Sequence, residues 1–287
     1  MSEPTGSGRT GLQPYWDEVS GRYAPADPLA AVCYPGAPPW FNRFIGRFQM
    51  RAVKRVLDVI PIEGIRALDV GCGMGRWTRL LHARGASVTG IDPTEEMLEA
   101  ARRLSPDLDY RRMSATAIGL PDASFDLVIA VTVIQHLRPE EQRTAMGEIA
   151  RVLRPGGHAL LLDLIDLGDR GPVVYPRRPE SWIALAREAG LELVGWRGEE
   201  FIPLIRMGWR VANALGRGSA EAKGAAPARG DSWFDRMHHR PGLRVLLLPL
   251  RLMVWASYPM EWLCERLAPA RSARHGCFLY RLRGNAA

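Results

Sequence analysis

Three glycines at alternate positions, Gly71, Gly73 and Gly75, separate an apolar run ending Ala67-Leu68-Asp69-Val70 from the sequence Arg76-Trp77-Thr78-Arg79-Leu80-Leu81, whose apolar residues have helical spacing. The order reads strand, tight turn, helix. Such a turn presents backbone N–H groups at the positive end of a helix, and glycine lets a carboxylate or phosphate come close to the main chain. A second run, Ser87-Val88-Thr89-Gly90-Ile91, ends at Asp92. In a βαβ unit this acid falls at the neighbouring strand tip, where a carboxylate accepts hydrogen bonds from both hydroxyls of a ribose. The chemistry that fits is the binding of a nucleoside-type ligand. A structural turn with incidental glycines is the competing reading, and it leaves the acid and the order of the elements unexplained.

The spacing separates two ligands. G-x-G-x-x-G favours dinucleotides, whereas this chain has G-x-G-x-G preceded by an acid. At these residues the chain resembles the class I S-adenosylmethionine-dependent methyltransferases, of the small-molecule, methyltransferase type 11-like kind. The resemblance implies that the loop of Gly71, Gly73 and Gly75 wraps the methionine part of S-adenosyl-L-methionine and that Asp69 helps hold its ammonium group. It further implies that Asp92 binds the ribose and that Pro93 and Met97 flank the adenine. The family often places an acid where Ser114 stands; here the Ser114 hydroxyl would accept one hydrogen bond and the Ala115 backbone supply another.

The segment Thr132-Val133-Ile134-Gln135-His136-Leu137 follows the fourth strand, at the sheet edge where open α/β folds place ligands. In the resembled family it borders the methyl-donor pocket, so Thr132 joins the cofactor set. His136 is the candidate catalytic residue, because a neutral imidazole near pH 7 can take a proton from an acceptor hydroxyl or amine. The alternative is that His136 packs against the helix starting near Pro139-Glu140-Glu141. Asp163, towards the end of the fifth strand, is expected to face the acceptor. Arg170, Tyr175, Arg177 and Arg178 offer a cationic rim, or else a solvated loop.

The elements that must position these residues follow the chain. Phe41, Phe44, Ile45, Phe48, Ala52, Val53, Val56 and Ile60 hold a helical period, with Arg43, Arg47, Arg51 and Lys54 on the opposite face. This helix either covers the sheet or, with Tyr15 and Tyr34 upstream, belongs to a lid. A helix at 95–104, strands at 109–113 and 125–131, a helix at 140–153 stopped by Arg154-Pro155-Gly156-Gly157, a strand at 158–165, a helix at 180–190 and strands at 191–196 and 277–282 complete the reading. Asp126 is expected to make a structural hydrogen bond. The implied fold class is α/β: a Rossmann-like seven-stranded, mostly parallel sheet with an antiparallel last strand, an N-terminal helical lid and a helical cap between strands six and seven. The expected divisions are 1–60 for tail and lid, 61–200 for the cofactor-binding domain, 201–274 for the cap and 275–287 for the last strand.

The cap is inferred because the gap before the last strand far exceeds a hairpin loop. It reads as an apolar helix at 201–215, a Gly/Ala/Ser-rich stretch at 216–231 and a second apolar helix at 243–267, kinked by Pro249 and Pro259. Arg244, Arg251, Tyr258 and Glu265 recur every seven residues there as a narrow polar stripe. The greasy remainder must be covered by the sheet or a homodimer, by a hydrophobic acceptor, or by a membrane interface with the arginines towards headgroups.

The chain has 287 residues, 47% apolar and 24% charged, enough for one substantial core. Its net charge of +7 favours anionic partners without choosing among them. Cys33, Cys72, Cys264 and Cys277 form no C-x-x-C pair, so no metal site or disulfide framework is expected. The start Met1-Ser2-Glu3-Pro4 lacks signal-peptide character, which makes the cytoplasm the expected location. The expected function is methyl transfer from S-adenosyl-L-methionine to an oxygen or nitrogen of a small, partly apolar acceptor. Two alternatives stand beside it. A nucleic-acid methyltransferase fits the charge, but Ala130-Val131-Thr132-Val133 lacks the Asn/Asp-Pro-Pro-aromatic motif of enzymes that methylate base amino groups, and no RNA-binding module is visible. A non-catalytic cofactor-binding scaffold with a partner-facing or membrane-facing cap is the other.

Overall fold

A computed structural model describes residues 13–23, 29, 37–165, 174–201 and 247–284. Tyr34, Cys33, Arg170, Arg244 and the segments 202–215 and 216–231 lie outside the described residues. The elements are α1 (Gln13–Tyr23), α2 (Pro39–Leu57), β1 (Arg66–Val70), α3 (Arg76–His82), β2 (Ser87–Asp92), α4 (Glu95–Leu104), β3 (Asp109–Arg112), β4 (Phe125–Val131), α5 (Pro139–Val152), β5 (Leu153–Leu164), α6 (Pro179–Glu188), β6 (Leu191–Glu199), α7 (Leu247–Leu267) and β7 (His275–Leu282). The sheet order is β3-β2-β1-β4-β5-β7-β6. Strands β1 to β5 run parallel, and β7 lies antiparallel between β5 and β6.

Alternation along the central strands explains the layering, since successive side chains leave a strand on opposite faces. Leu68, Val70, Val128, Ala130 and Leu161 pack one way, against Ala145, Met146 and Ile149 of α5 and Trp182 of α6. Ala67, Leu127, Ile129, Leu160 and Leu162 pack the other way, against Ala52, Val53 and Leu57 of α2 and Trp77 and Leu81 of α3. With both faces covered, these strands read as nearly continuous apolar runs.

Two expectations change. The Arg154-Pro155-Gly156-Gly157 stretch does stop α5, but it enters β5 rather than forming a separate turn. A register shift opposite Phe125 and Leu127, with Gly156 at φ 80°, absorbs it. Asp126 accepts the Arg66 N–H at 2.9 Å and the Arg154 guanidinium at 2.8 Å, which ties β4 to β1 and to the start of β5.

The polar stripe on the last helix divides between the interior and the surface. Tyr258 packs on Phe44 and Phe48 of α2 and accepts from Arg47 at 2.9 Å. Glu265 pairs with Arg51 and Arg55 of α2. Tyr258 and Glu265 thus form an interior seam, where Glu265 meets arginines of the basic face of α2, while Arg251 stays exposed. Leu252, Trp255, Trp262 and Leu267 face outward instead. Helix α7 continues through Pro259, and Pro249 falls in its first described turn. At the sheet edge, where the chain leaves after β6 and returns into β7, the buried Glu200 carboxylate holds Arg274 at 3.1 Å and lies 3.0 Å from His275 Nδ1.

Candidate active site

The glycine loop is settled by sterics before any ligand enters. Gly71, Gly73 and Gly75 have φ of 66°, 51° and 75°, a region that side chains rarely adopt. A Cβ on Gly71 would stand 2.4 Å from Val133, and one on Gly75 would stand 2.1 Å from the Tyr110 hydroxyl. The first glycine therefore admits the segment after β4, and the third admits a side chain from β3.

Asp92 ends β2 on the wall of a cavity of about 350 Å³. Its Oδ2 accepts the Gly73 N–H at 3.0 Å and its Oδ1 the Thr94 N–H at 2.9 Å. A carboxylate has about four lone-pair sites, so both oxygens keep capacity for ligand hydroxyls. Burial pushes the Asp92 pKa up to about 6, against the pull of these N–H groups. Pro93, Met97, Ser114, Ala115, Thr132, Gly71, Gly73 and His136 share the same wall. Asp69 and Gly75 do not. Asp69 lies fully buried: its Oδ2 accepts from the Thr78 hydroxyl at 2.6 Å, its Oδ1 has no hydrogen-bond partner, and burial pushes its pKa up to about 7. Ser114 shares its hydroxyl with that of Thr116 at 2.9 Å.

Past β4 the wall changes character. Thr132 is a β-branched residue at φ 57°, a strained conformation, and its N–H reaches Leu162 O at 2.6 Å. A 3₁₀ turn, Ile134–His136, follows. The Gln135 N–H donates to Asp163 Oδ1 at 3.1 Å, and the Val133 and Ile134 backbones also bond this carboxylate. Asp163 is thus buried behind the turn and does not face the cavity; burial pushes its pKa up to about 8. His136 reaches the cavity with its ring edge-on to Trp16, the centroids 4.9 Å apart. Tyr15 packs beside Trp16 and stays off the cavity wall. Arg177 turns back to Gln142 and lies over the Trp182 ring, while Tyr175 uses its backbone to bond Gln135 and Gln142. The expected rim is therefore not assembled from these two residues.

The sequence reading missed Trp16, Arg76 and Glu141, all on the wall. Arg76 ties the start of α3 to α2 through Gln49 at 3.0 Å and Gly46 O at 2.6 Å. An arginine directly after the third glycine was a visible signal for such a tie. Glu141 accepts the Arg138 N–H at 2.9 Å, closing the N-terminus of α5.

The arrangement matches a ligand with a cation at one end and a diol at the other: an orphaned, buried carboxylate oxygen lies beneath a glycine loop, and a second carboxylate lines the adjacent strand tip. Comparison with known proteins agrees. A methyltransferase domain profile matches residues 68–161. A ubiquinone biosynthesis O-methyltransferase of Paracidovorax citrulli is 32% identical over 171 residues, covering 51% of this chain and 71% of that protein. The chain belongs to the class I S-adenosylmethionine-dependent methyltransferases. A Rhizobium etli protein with the same description is 35% identical over 178 residues, covering 54% of this methyltransferase and 71% of its own length. These relatives do not favour the nucleic-acid or scaffold alternatives. The solved structure of the [4+2]-cyclase SpnF aligns with 83% of this methyltransferase and 82% of its own chain, at a TM-score of 0.51 and 22% identity. That likeness concerns the fold alone, and it shows that one sheet can carry more than one reaction. The cofactor of this methyltransferase is S-adenosylmethionine.

Proposed function

We propose that this methyltransferase transfers the methyl group to an oxygen of a small, partly apolar acceptor. One observation carries the reading: the glycine loop and Asp92 open into the same cavity as Trp16, His136 and Leu137, so donor and acceptor have one chamber. The names of the O-methyltransferase relatives support oxygen as the target. In this reading Asp69, Gly71, Gly73, Gly75, Asp92, Pro93, Met97, Ser114, Ala115 and Thr132 hold the cofactor, with Asp69 and Gly75 acting from behind the wall. When bound, the cofactor supplies a methyl group already activated on a sulfonium. The chain then has to exclude water and align the acceptor, which Trp16 and Leu137 serve by apolar cover and His136 by a polar contact with the acceptor oxygen. The test is to incubate the enzyme with the cofactor and a panel of small phenols and catechols and to measure S-adenosylhomocysteine by mass spectrometry. Turnover with such a compound is expected; turnover with RNA or DNA only would overturn the reading.

The division into lid (1–60), cofactor domain (61–200 with 275–287) and cap (201–274) belongs to this proposal. So does a cytoplasmic location, supported by the free thiols of Cys72, Cys264 and Cys277. Among the described residues no helix is long and apolar enough to cross a membrane. We assign the outward face of α7 to peripheral contact with a lipid surface. Trp255, Trp262, Leu252 and Leu267 are exposed there beside Arg251 and Arg266, while both acids of that helix, Glu261 and Glu265, turn inward. Co-sedimentation with anionic vesicles is expected; a homodimer that buries Trp255 in place of vesicle binding would overturn the assignment.

A further inference from the structure

Gln142 sits near the start of α5, fully buried, with both ends of its amide engaged. Its Nε2 donates to Ile134 O at 3.1 Å and to Tyr175 O at 2.9 Å. Its Oε1 accepts from the Nε–H of Arg177. These partners identify the two ends, because carbonyls can face only the NH₂ group and a guanidinium N–H only the amide oxygen. The amide thus joins the helix, the 3₁₀ turn Ile134–His136 and the stretch 174–177 that leads into α6. Main chain closes the junction, since the Tyr175 N–H donates to Gln135 O at 2.6 Å. Arg177 is anchored in its own right, by a β-bridge to Ile165 at the end of β5 and by its place over the Trp182 ring.

We infer that Gln142 is a positioning residue for the acceptor: it sets the turn that carries His136 and Leu137 to the cavity, and Arg177 sets Gln142 by holding its amide in the one orientation that serves the turn. The inference rests on the function proposed above, in which the acceptor meets that wall. The turn is gripped from two sides by groups of opposite kind. Asp163 takes the Gln135 N–H from behind, while Gln142 and the Tyr175 main chain satisfy the carbonyls of Ile134 and Gln135. A reversed amide would press its oxygen against the Ile134 and Tyr175 carbonyls, and the Arg177 donor excludes that arrangement. Val133, His136 and Leu137 line the cavity, whereas Gln142, Tyr175 and Arg177 do not, so these three act through the turn and not on a ligand. The Asp92 carboxylate and its Gly73 and Thr94 partners lie outside this chain of bonds. The effect therefore falls on the acceptor half.

The test combines kinetics on the most active catechol of the panel, calorimetry of S-adenosylmethionine binding, and nuclear magnetic resonance of the His136 ring in the full chain. The ring lies edge-on to Trp16 at 4.9 Å, so its proton shifts report where the turn stands; they are assigned by their loss in His136→Ala. Gln142→Met keeps the length of the side chain and removes the amide. It is expected to raise the acceptor KM about tenfold, the effect of one net hydrogen bond, with cofactor affinity within about twofold of wild type and the His136 signals displaced. Arg177→Met should move the same readouts in the same direction, while Arg177→Lys, which keeps a donor for Oε1, should stay within about threefold of wild type. If Gln142→Met does not fold, the half-buried Arg177 pair decides. Acceptor KM and His136 signals unmoved in the methionine variants, cofactor affinity falling in step with the acceptor's, or Arg177→Lys as damaging as Arg177→Met would each overturn the inference. Absence of wild-type turnover with every phenol and catechol would instead sink the proposed function, and the His136 shifts would then decide the inference alone.

Discussion

One side of the cavity is main chain: Gly71 and Gly73 at positive φ, backed by Gly75, and a carboxylate fastened at both oxygens by the N–H groups of Gly73 and Thr94. The other side is made of side chains hung from a three-residue turn, held from behind by Asp163 and Gln135. The first wall is rigid because backbone conformation admits few residues. The second depends on two buried polar side chains that reach across from different elements. In the proposed function the cofactor falls on the first wall and the acceptor on the second.

The largest effect should come from breaking the first wall. Asp92→Ala removes charge-assisted hydrogen bonds to the ligand and orphans two N–H groups, and calorimetry should show the affinity for S-adenosylmethionine fall by about 3–6 kcal/mol, roughly two to four orders of magnitude. Affinity within threefold of wild type would contradict the assignment of this wall. Next in size, Gly75→Ala forces a Cβ into the Tyr110 hydroxyl at positive φ, and chemical denaturation should report a loss of about 3 kcal/mol.

The contrast between the walls sharpens with pH. The folded-state pKa values of Asp163, Asp69 and Asp92, about 8, about 7 and about 6, lie above the ordinary 3.8. Folding therefore takes up protons, and the stability involved is complete below pH 4 and is lost as pH rises through 6 to 8. Each such group should add a slope of about 1.4 kcal/mol per pH unit over its own window. Asp163→Asn should remove one group's share of that decline between pH 4 and 8 without touching cofactor affinity, as thermal unfolding across pH and calorimetry would show. At the small end, Ser114→Ala should change cofactor affinity by less than about threefold, because its hydroxyl is shared with Thr116.

The same contrast governs what was legible in the sequence. Glycine spacing and the acid at a strand tip are local signatures of backbone geometry, so the strand–turn–helix–strand unit and the family could be read from residues 67–97. The antiparallel β7 followed from the resemblance. The bracing of the second wall was not legible, because Gln135 and Asp163 are neighbours only once β4 and β5 pair, and an aspartate near a strand end reads equally well as facing a ligand. The depth of Asp69 was not legible for a related reason: the motif names the residue, but only the fold shows it buried behind the loop and off the cavity wall. The stripe of Tyr258 and Glu265 was legible by its period of seven, but not what it meets: its partners are arginines of α2, some two hundred positions earlier.

The grip of Glu200 on Arg274 and His275 has an evolutionary consequence. The excursion that begins after β6 and ends at β7 starts and finishes at one point of the sheet, clasped shut by a single carboxylate. Lengthening a segment whose ends are already joined costs only a logarithmic entropy, about 0.6 kcal/mol per doubling. Selection can therefore trade whole insertions at this point while the sheet stays as it is.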